Sequence, residues 1–125
     1  MEEIIPTLRK NISQFLNRDY KLFFVNSATF GLFSILFDSS INKIGIPDQG
    51  GFKGFIEMPN LLKKEYIEIP TDKGIIVPKF KKDFDVFLFT SLSGYISSNP
   101  SKLICQETKK IGIVSIEDIS GTFPD

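Results

Sequence analysis

The sequence has no histidine, no tryptophan and a single cysteine among 125 residues. Histidine is the commonest general base near neutral pH and a common metal ligand, so its absence excludes self-contained Ser-His or Cys-His catalysis and a histidine-type zinc site. Cys105 alone can form neither an internal disulfide nor a thiolate metal cluster. Chemistry must therefore use carboxylates, lysines, hydroxyls, backbone groups or a cofactor, and we expect no metal site.

The chain also lacks an excess of either charge, because 15 basic residues balance 15 acidic ones. A net charge of zero gives no long-range attraction to nucleic acid or to an acidic membrane surface. The uncharged, largely apolar segment 22–37 is sixteen residues long, which is short for a membrane span. No signal-peptide pattern opens the chain. We therefore expect a cytoplasmic protein with neither a nucleic-acid nor a membrane partner.

The length predicts one α/β domain over residues 1–125, with an N-terminal helix within residues 1–20. Apolar residues at helical spacing and Pro6 in the first turn place that helix at residues 4–16. Strands are predicted at residues 43–46, 65–69, 86–89 and 111–116, and residues 22–25 are predicted as either a short strand or an extended approach. Helices are predicted at residues 29–37, after residue 55 with a break near Pro59, and at residues 100–110. Residues 71–85 carry no clear pattern.

The run Val86-Phe87-Leu88-Phe89 is continuously apolar, which is typical of a parallel strand covered on both faces. Strands that alternate with helices then predict a three-layer α/β fold with a mostly parallel sheet. Four loops should meet at the carboxyl edge of such a sheet. They are Ser27-Ala28-Thr29, Gly50-Gly51-Phe52, Ser91-Leu92-Ser93-Gly94 and Glu117-Asp118-Ile119-Ser120-Gly121.

The order and character of these loops resemble the large domain of fold-type I pyridoxal-phosphate enzymes, the aspartate aminotransferase superfamily with its sugar aminotransferase branch. The resemblance covers about residues 23–123. It implies that Ser27, Ala28 and Thr29 hold the cofactor phosphate at a helix start, that Phe52 stacks on the pyridine ring, and that Ser91 contacts the phenolic oxygen. It also implies that Asp118 pairs with the protonated ring nitrogen. Each candidate also has a simpler interpretation: the Ser27 turn as a helix cap, Phe52 as a core phenylalanine, and Asp118 as an acid that caps a turn.

No lysine occupies the position of the family's Schiff-base lysine, and the arginines, Arg9 and Arg18, are both N-terminal. The resemblance therefore implies a truncated or split aminotransferase-like protein, in a homo- or hetero-oligomer, whose lysine comes from a second chain. Two alternatives stay open. One is a non-catalytic α/β interaction or regulatory module, and the other is an unrelated domain that binds a phosphate-bearing ligand at the Ser27 turn.

Overall fold

The computed structural model describes residues 4–49, 51–90 and 99–120. Within these residues, helices and strands alternate along most of the chain. In chain order they are α1 (Ile4–Phe15), α2 (Ala28–Leu36), β1 (Lys43–Pro47), α3 (Gly54–Leu61), β2 (Glu65–Ile69), β3 (Thr71–Asp72), β4 (Ile75–Ile76), β5 (Val86–Thr90), α4 (Ser101–Lys110) and β6 (Val114–Asp118).

Four strands form one parallel sheet in the order β2-β1-β5-β6. The register sets Ile44 between Tyr66 on one side and Val86 on the other. The predicted α/β class with a parallel sheet is confirmed. The chain leaves β1 towards one edge of the sheet and leaves β5 towards the other, so the strand order reverses between these two central strands.

Apolar side chains cover both faces of the sheet. One face packs against α2 and α3, through Leu32 and Leu36 of the first helix and Phe55 and Met58 of the second. The other face packs against α4, through Ile104, and against Ile76 of the short β3–β4 hairpin. Val86 to Phe89 are at most 2 % exposed. The predicted burial of this strand on both faces is confirmed.

Phenylalanine rings fill the layer between the sheet and α4. Phe87 stacks on Phe89 with 5.6 Å between ring centroids, and Phe80 lies 4.8 Å from Phe87. Phe84 lies over Gly45 of β1 so closely that a Cβ atom at position 45 would be 2.8 Å from the Phe84 ring. Glycine at this position therefore admits the ring to the surface of the sheet.

At the amino end of the sheet, Asp85 joins three strands. The backbone N–H groups of Asn42 and Lys43 donate to Asp85 Oδ2 at 2.8 and 2.9 Å. The Asp85 N–H donates to the Lys43 carbonyl at 2.9 Å, and the Val114 N–H donates to the Asp85 carbonyl at 3.2 Å. The two backbone bonds to the carboxylate hold the pKa of Asp85 below its ordinary value.

Residues 22–25, predicted as a short strand or an extended approach, belong to no strand; Phe23 is 83 % exposed, and no neighbouring strand among the described residues supplies a hydrogen-bond ladder. Two other predictions of element bounds are wrong. Pro59 does not break α3, because it lies near the end of a short helix where few backbone bonds remain to be lost. The last strand begins at Val114, since Ile113 N–H still bonds the Thr108 carbonyl and Gly112 turns the chain with φ of 73°.

The predicted N-terminal helix is confirmed as α1, but none of its residues is buried. Its Arg9 guanidinium lies 6.0 Å from the ring centre of Phe24. Across the described part of the chain, no helix is long and apolar enough to cross a membrane.

A candidate ligand cavity between α2 and β6

A cavity of about 500 Å³ lies between the start of α2 and the carboxyl end of β6. Apolar side chains supply most of its wall, and the end of β6 supplies the carboxylate of Asp118. The lining residues are Phe23, Val25, Ala28, Gly31, Leu32, Ile35, Ile116, Glu117, Asp118, Ile119 and Ser120. The cavity thus joins two of the four loops that the sequence predicts to converge.

Asp118 is the last residue of β6 and lies opposite Thr90 in the parallel register. Ile116 packs on the α2 face of the sheet, and strand alternation puts Asp118 on that same face. Its Oδ1 accepts the Ser120 N–H at 2.9 Å, and its backbone carbonyl accepts the Thr90 hydroxyl at 2.9 Å. Within the described residues, Oδ2 makes no hydrogen bond, so the carboxylate keeps acceptor capacity at the cavity.

The predicted phosphate turn at Ser27, Ala28 and Thr29 forms the start of α2. Ser27 is the N-cap, and its Oγ accepts the Phe30 N–H at 3.1 Å. Ala28 lines the cavity, whereas Ser27 and Thr29 are outside its lining. The cap uses one of the first-turn amides, and the helix start still carries the partial positive charge of its remaining amides.

Glu117 differs from its neighbour Asp118, because strand alternation turns its side chain to the opposite face. There its Oε1 accepts the Ser101 hydroxyl at 2.7 Å, at the start of α4. The two acidic side chains therefore face opposite sides of the sheet. Glu117 holds α4, and Asp118 presents a carboxylate towards α2.

Phe52 lies in a different cavity, of about 200 Å³, at the carboxyl end of β1. Its ring meets Phe55 edge-on at 5.9 Å between centroids. Asp48 lines the same cavity, and its Oδ1 accepts the backbone N–H and the hydroxyl of Thr71 at 3.0 and 2.6 Å. The structure thus brings Ala28 and Asp118 together but does not add Phe52 to them. Ser91 is outside the described residues.

The sequence analysis missed the helical wall of the first cavity. Ala28, Gly31 and Ile35 follow one another at intervals of three and four residues, which places them on one side of a helix. That spacing, together with a small residue in two of three positions, was the available signal. The segment that supplies Phe23 and Val25 carried no comparable signal, because its apolar residues indicated a buried element.

The cavity joins three features: the start of α2, which favours an anion, the Asp118 carboxylate, which favours a cation, and an apolar wall. None of the described lining residues is a lysine.

Comparison with protein-family models, with curated proteins and with solved structures gives no match to the chain. The described residues also contain no group of three or more histidine, cysteine or acidic side chains that could hold a metal ion.

Proposed function

We propose that the chain is a truncated or split pyridoxal-phosphate-dependent aminotransferase-like protein that supplies the phosphate and ring-nitrogen contacts of the cofactor site. The observation that supports this most directly is that Ala28 and Asp118, which are 90 residues apart in the sequence, line one cavity. The parallel order β2-β1-β5-β6, with α2 ahead of β1, is compatible with the large domain that the resemblance implies.

In this proposal the residues have separate tasks. The backbone at the start of α2, from Ala28, binds the phosphate through helix-terminal amides. Asp118 Oδ2 holds the proton on the pyridine nitrogen, because a nearby carboxylate favours the charged form. The bound cofactor supplies an electron sink for reactions at amino groups. Phe52 as the stacking ring and Ser91 as the contact to the phenolic oxygen remain predictions.

The proposal requires a partner, because no lysine is among the described residues that line the cavity. A second chain would bring the amine that attaches the cofactor. The complete enzyme would then be an oligomer that acts as a transaminase, and this chain alone would bind the cofactor without reacting with it in the cavity.

The test uses pyridoxamine phosphate, which retains the phosphate and the ring nitrogen but has no aldehyde to react with surface lysines. We expect saturable binding of one molecule per chain in isothermal titration calorimetry. Asp118→Asn should weaken that binding about tenfold or more, because the neutral amide no longer supplies the negative charge that favours the protonated ring nitrogen. The matched control is Asp72→Asn, an exposed acid in β3 that lines neither cavity described above; its affinity should equal that of the unchanged chain.

The absence of saturable binding, or equal loss in both variants, would refute the cofactor proposal. One observation favours a function other than binding of this cofactor, namely that Ser27 Oγ is already used as a helix cap. If the chain is a non-catalytic α/β module, pyridoxamine phosphate will not bind at all. If it binds an unrelated phosphate ligand at the Ser27 turn, inorganic phosphate will compete and Asp118→Asn will have no effect.

A further inference from the structure

Beyond the cofactor site, we propose that two copies of this chain form a dimer in which α1 of each copy packs against the outer face of α2 of the other. Each of the two contacts joins apolar surfaces that the single chain leaves exposed. This inference does not depend on the cofactor role of Asp118.

The first surface is an apolar stripe along α1. Ile4, Leu8, Ile12 and Phe15 follow one another at intervals of four, four and three residues, which places them on one side of the helix. Ile4 is 65 %, Leu8 42 % and Phe15 76 % exposed, and no residue of α1 is buried. A stripe of this kind packs against another element in most proteins, and the described part of the chain leaves this one mostly uncovered.

The second surface is the outer face of α2. Leu32 and Leu36 face the sheet, whereas Phe30 and Phe37 lie on the opposite side and are 54 % and 67 % exposed. Between them, Ser34 donates its hydroxyl to the Phe30 carbonyl at 2.8 Å, so its polar group is used within the helix. A helix that is apolar on every side is usually buried on every side, and α2 contains no charged residue.

Size and charge identify the occupant as a second copy. The 12 residues of α1 and the 9 residues of α2 have lengths of about 18 and 14 Å at 1.5 Å per residue, so one stripe can lie along the other. Segment 22–37 has no lysine or arginine that could bind acidic lipid headgroups. Because both surfaces belong to the same chain, a reciprocal exchange covers all four of them across a two-fold axis.

The exposed area is sufficient for a stable dimer. At about 200 Å² for a buried phenylalanine, the exposed parts of Phe15, Phe30 and Phe37 amount to roughly 400 Å² per chain. Two chains double that area, and the aliphatic side chains of α1 add to it. The total is on the order of 1,200 Å², the size at which stable protein interfaces begin.

The first experiment is sedimentation velocity on the full chain, over a range of protein concentrations. We expect a reversible dimer with twice the 14.1 kDa mass of the chain. Phe15→Glu and Phe37→Glu should each raise the dimer dissociation constant about tenfold or more, because each places a charge in both contacts. The matched controls are Gln14→Glu, on the polar side of α1, and Leu61→Glu, at a position that is 73 % exposed on α3; both should leave the constant unchanged.

A mixture of the two variants tests the exchange of helices. In the mixed dimer one contact contains both glutamates, whereas the other joins an unchanged α1 to an unchanged α2. The mixture of Phe15→Glu with Phe37→Glu should therefore dimerise more tightly than either variant alone. If α1 packed on α1 and α2 on α2 instead, the mixed dimer would have no unchanged contact and mixing would give no gain.

A single-chain mass at every concentration would overturn the proposal; sedimentation of that single chain with phosphatidylglycerol vesicles would then assign the two surfaces to a lipid membrane. A dimer that Phe15→Glu and Phe37→Glu leave intact would also overturn it, as would equal weakening by the controls or a mixture no tighter than its components. Phe15 and Phe37 line neither cavity described above, and none of these dimerisation readouts uses a ligand. Failure here is therefore distinguishable from failure of the cofactor proposal.

Discussion

The two ends of the parallel sheet use their carboxylates differently. At the amino end, Asp85 Oδ2 accepts two backbone N–H groups, and its own backbone groups bond β1 and β6. At the carboxyl end, Asp118 Oδ1 accepts one N–H, and Oδ2 remains available at a cavity. A carboxylate whose bonds join strands contributes to folding, whereas one that keeps an acceptor at a cavity can bind a ligand. The position of the acid along its strand makes the difference.

The largest expected effect tests whether both ends of the parallel sheet depend on the same hydrophobic core. Phe87 is fully buried in β5 and contacts Phe80, Phe84 and Phe89. Phe87→Ala should lower the free energy of unfolding by about 3–5 kcal/mol, because it leaves a cavity among packed rings. Urea denaturation at one fixed protein concentration measures it. Phe23→Ala, at 83 % exposure, is the matched control and should change stability little; equal losses would mean that the two regions do not differ in packing.

The next effect separates the two carboxylates directly. Asp85→Ala should lower the free energy of unfolding by about 1 kcal/mol, because two backbone N–H groups lose their acceptor. Asp118→Ala should change it by less than about 0.5 kcal/mol. Urea denaturation at neutral pH measures both. A larger loss for Asp118→Ala than for Asp85→Ala would reverse the assignment of the two ends.

The same comparison has a pH dependence. The pKa of Asp85 is lower in the folded protein than its ordinary value of 3.8, so the unfolded chain binds the proton first as pH falls. The stabilisation is therefore complete above that ordinary value and is lost as pH decreases through it towards the lower folded value. Asp85→Ala should flatten this acid-side loss relative to the unchanged chain.

The smallest effect is that of Ser27→Gly, because Ser27 lies at the carboxyl end of the sheet but serves folding as a helix cap. Ser27→Ala should cost about 1 kcal/mol and Ser27→Gly only a few tenths, because glycine is tolerated at a helix N-cap. Thermal denaturation measures both costs. Neither variant should change the affinity for pyridoxamine phosphate. A clear loss of affinity in Ser27→Gly would show that the hydroxyl contacts the ligand as well.

The sequence predicted the parts of the fold in which burial is continuous. Val86 to Phe89 are apolar on both faces, and their burial leaves few alternatives to a central parallel strand. Residues 22–25 look equally apolar, but pairing depends on a neighbouring strand that a local pattern cannot reveal. For the same reason the sequence predicted Asp118 at a strand end but not the role of Asp85, whose partners are more than 40 residues away. The meeting of the Ala28 and Asp118 loops was predictable, whereas the assignment of Phe52 to its own cavity depends on how α3 packs.

The close approach of Phe84 to Gly45 has a consequence for how this sequence can change over generations. A side chain at position 45 would meet a ring that is only 5 % exposed and is held among other rings. Exchange of Gly45 for alanine is therefore tolerable only after Phe84 has been replaced by something smaller, and the reverse order passes through an overpacked intermediate. The two positions form an epistatic pair, in which the order of substitutions decides which variants are accessible.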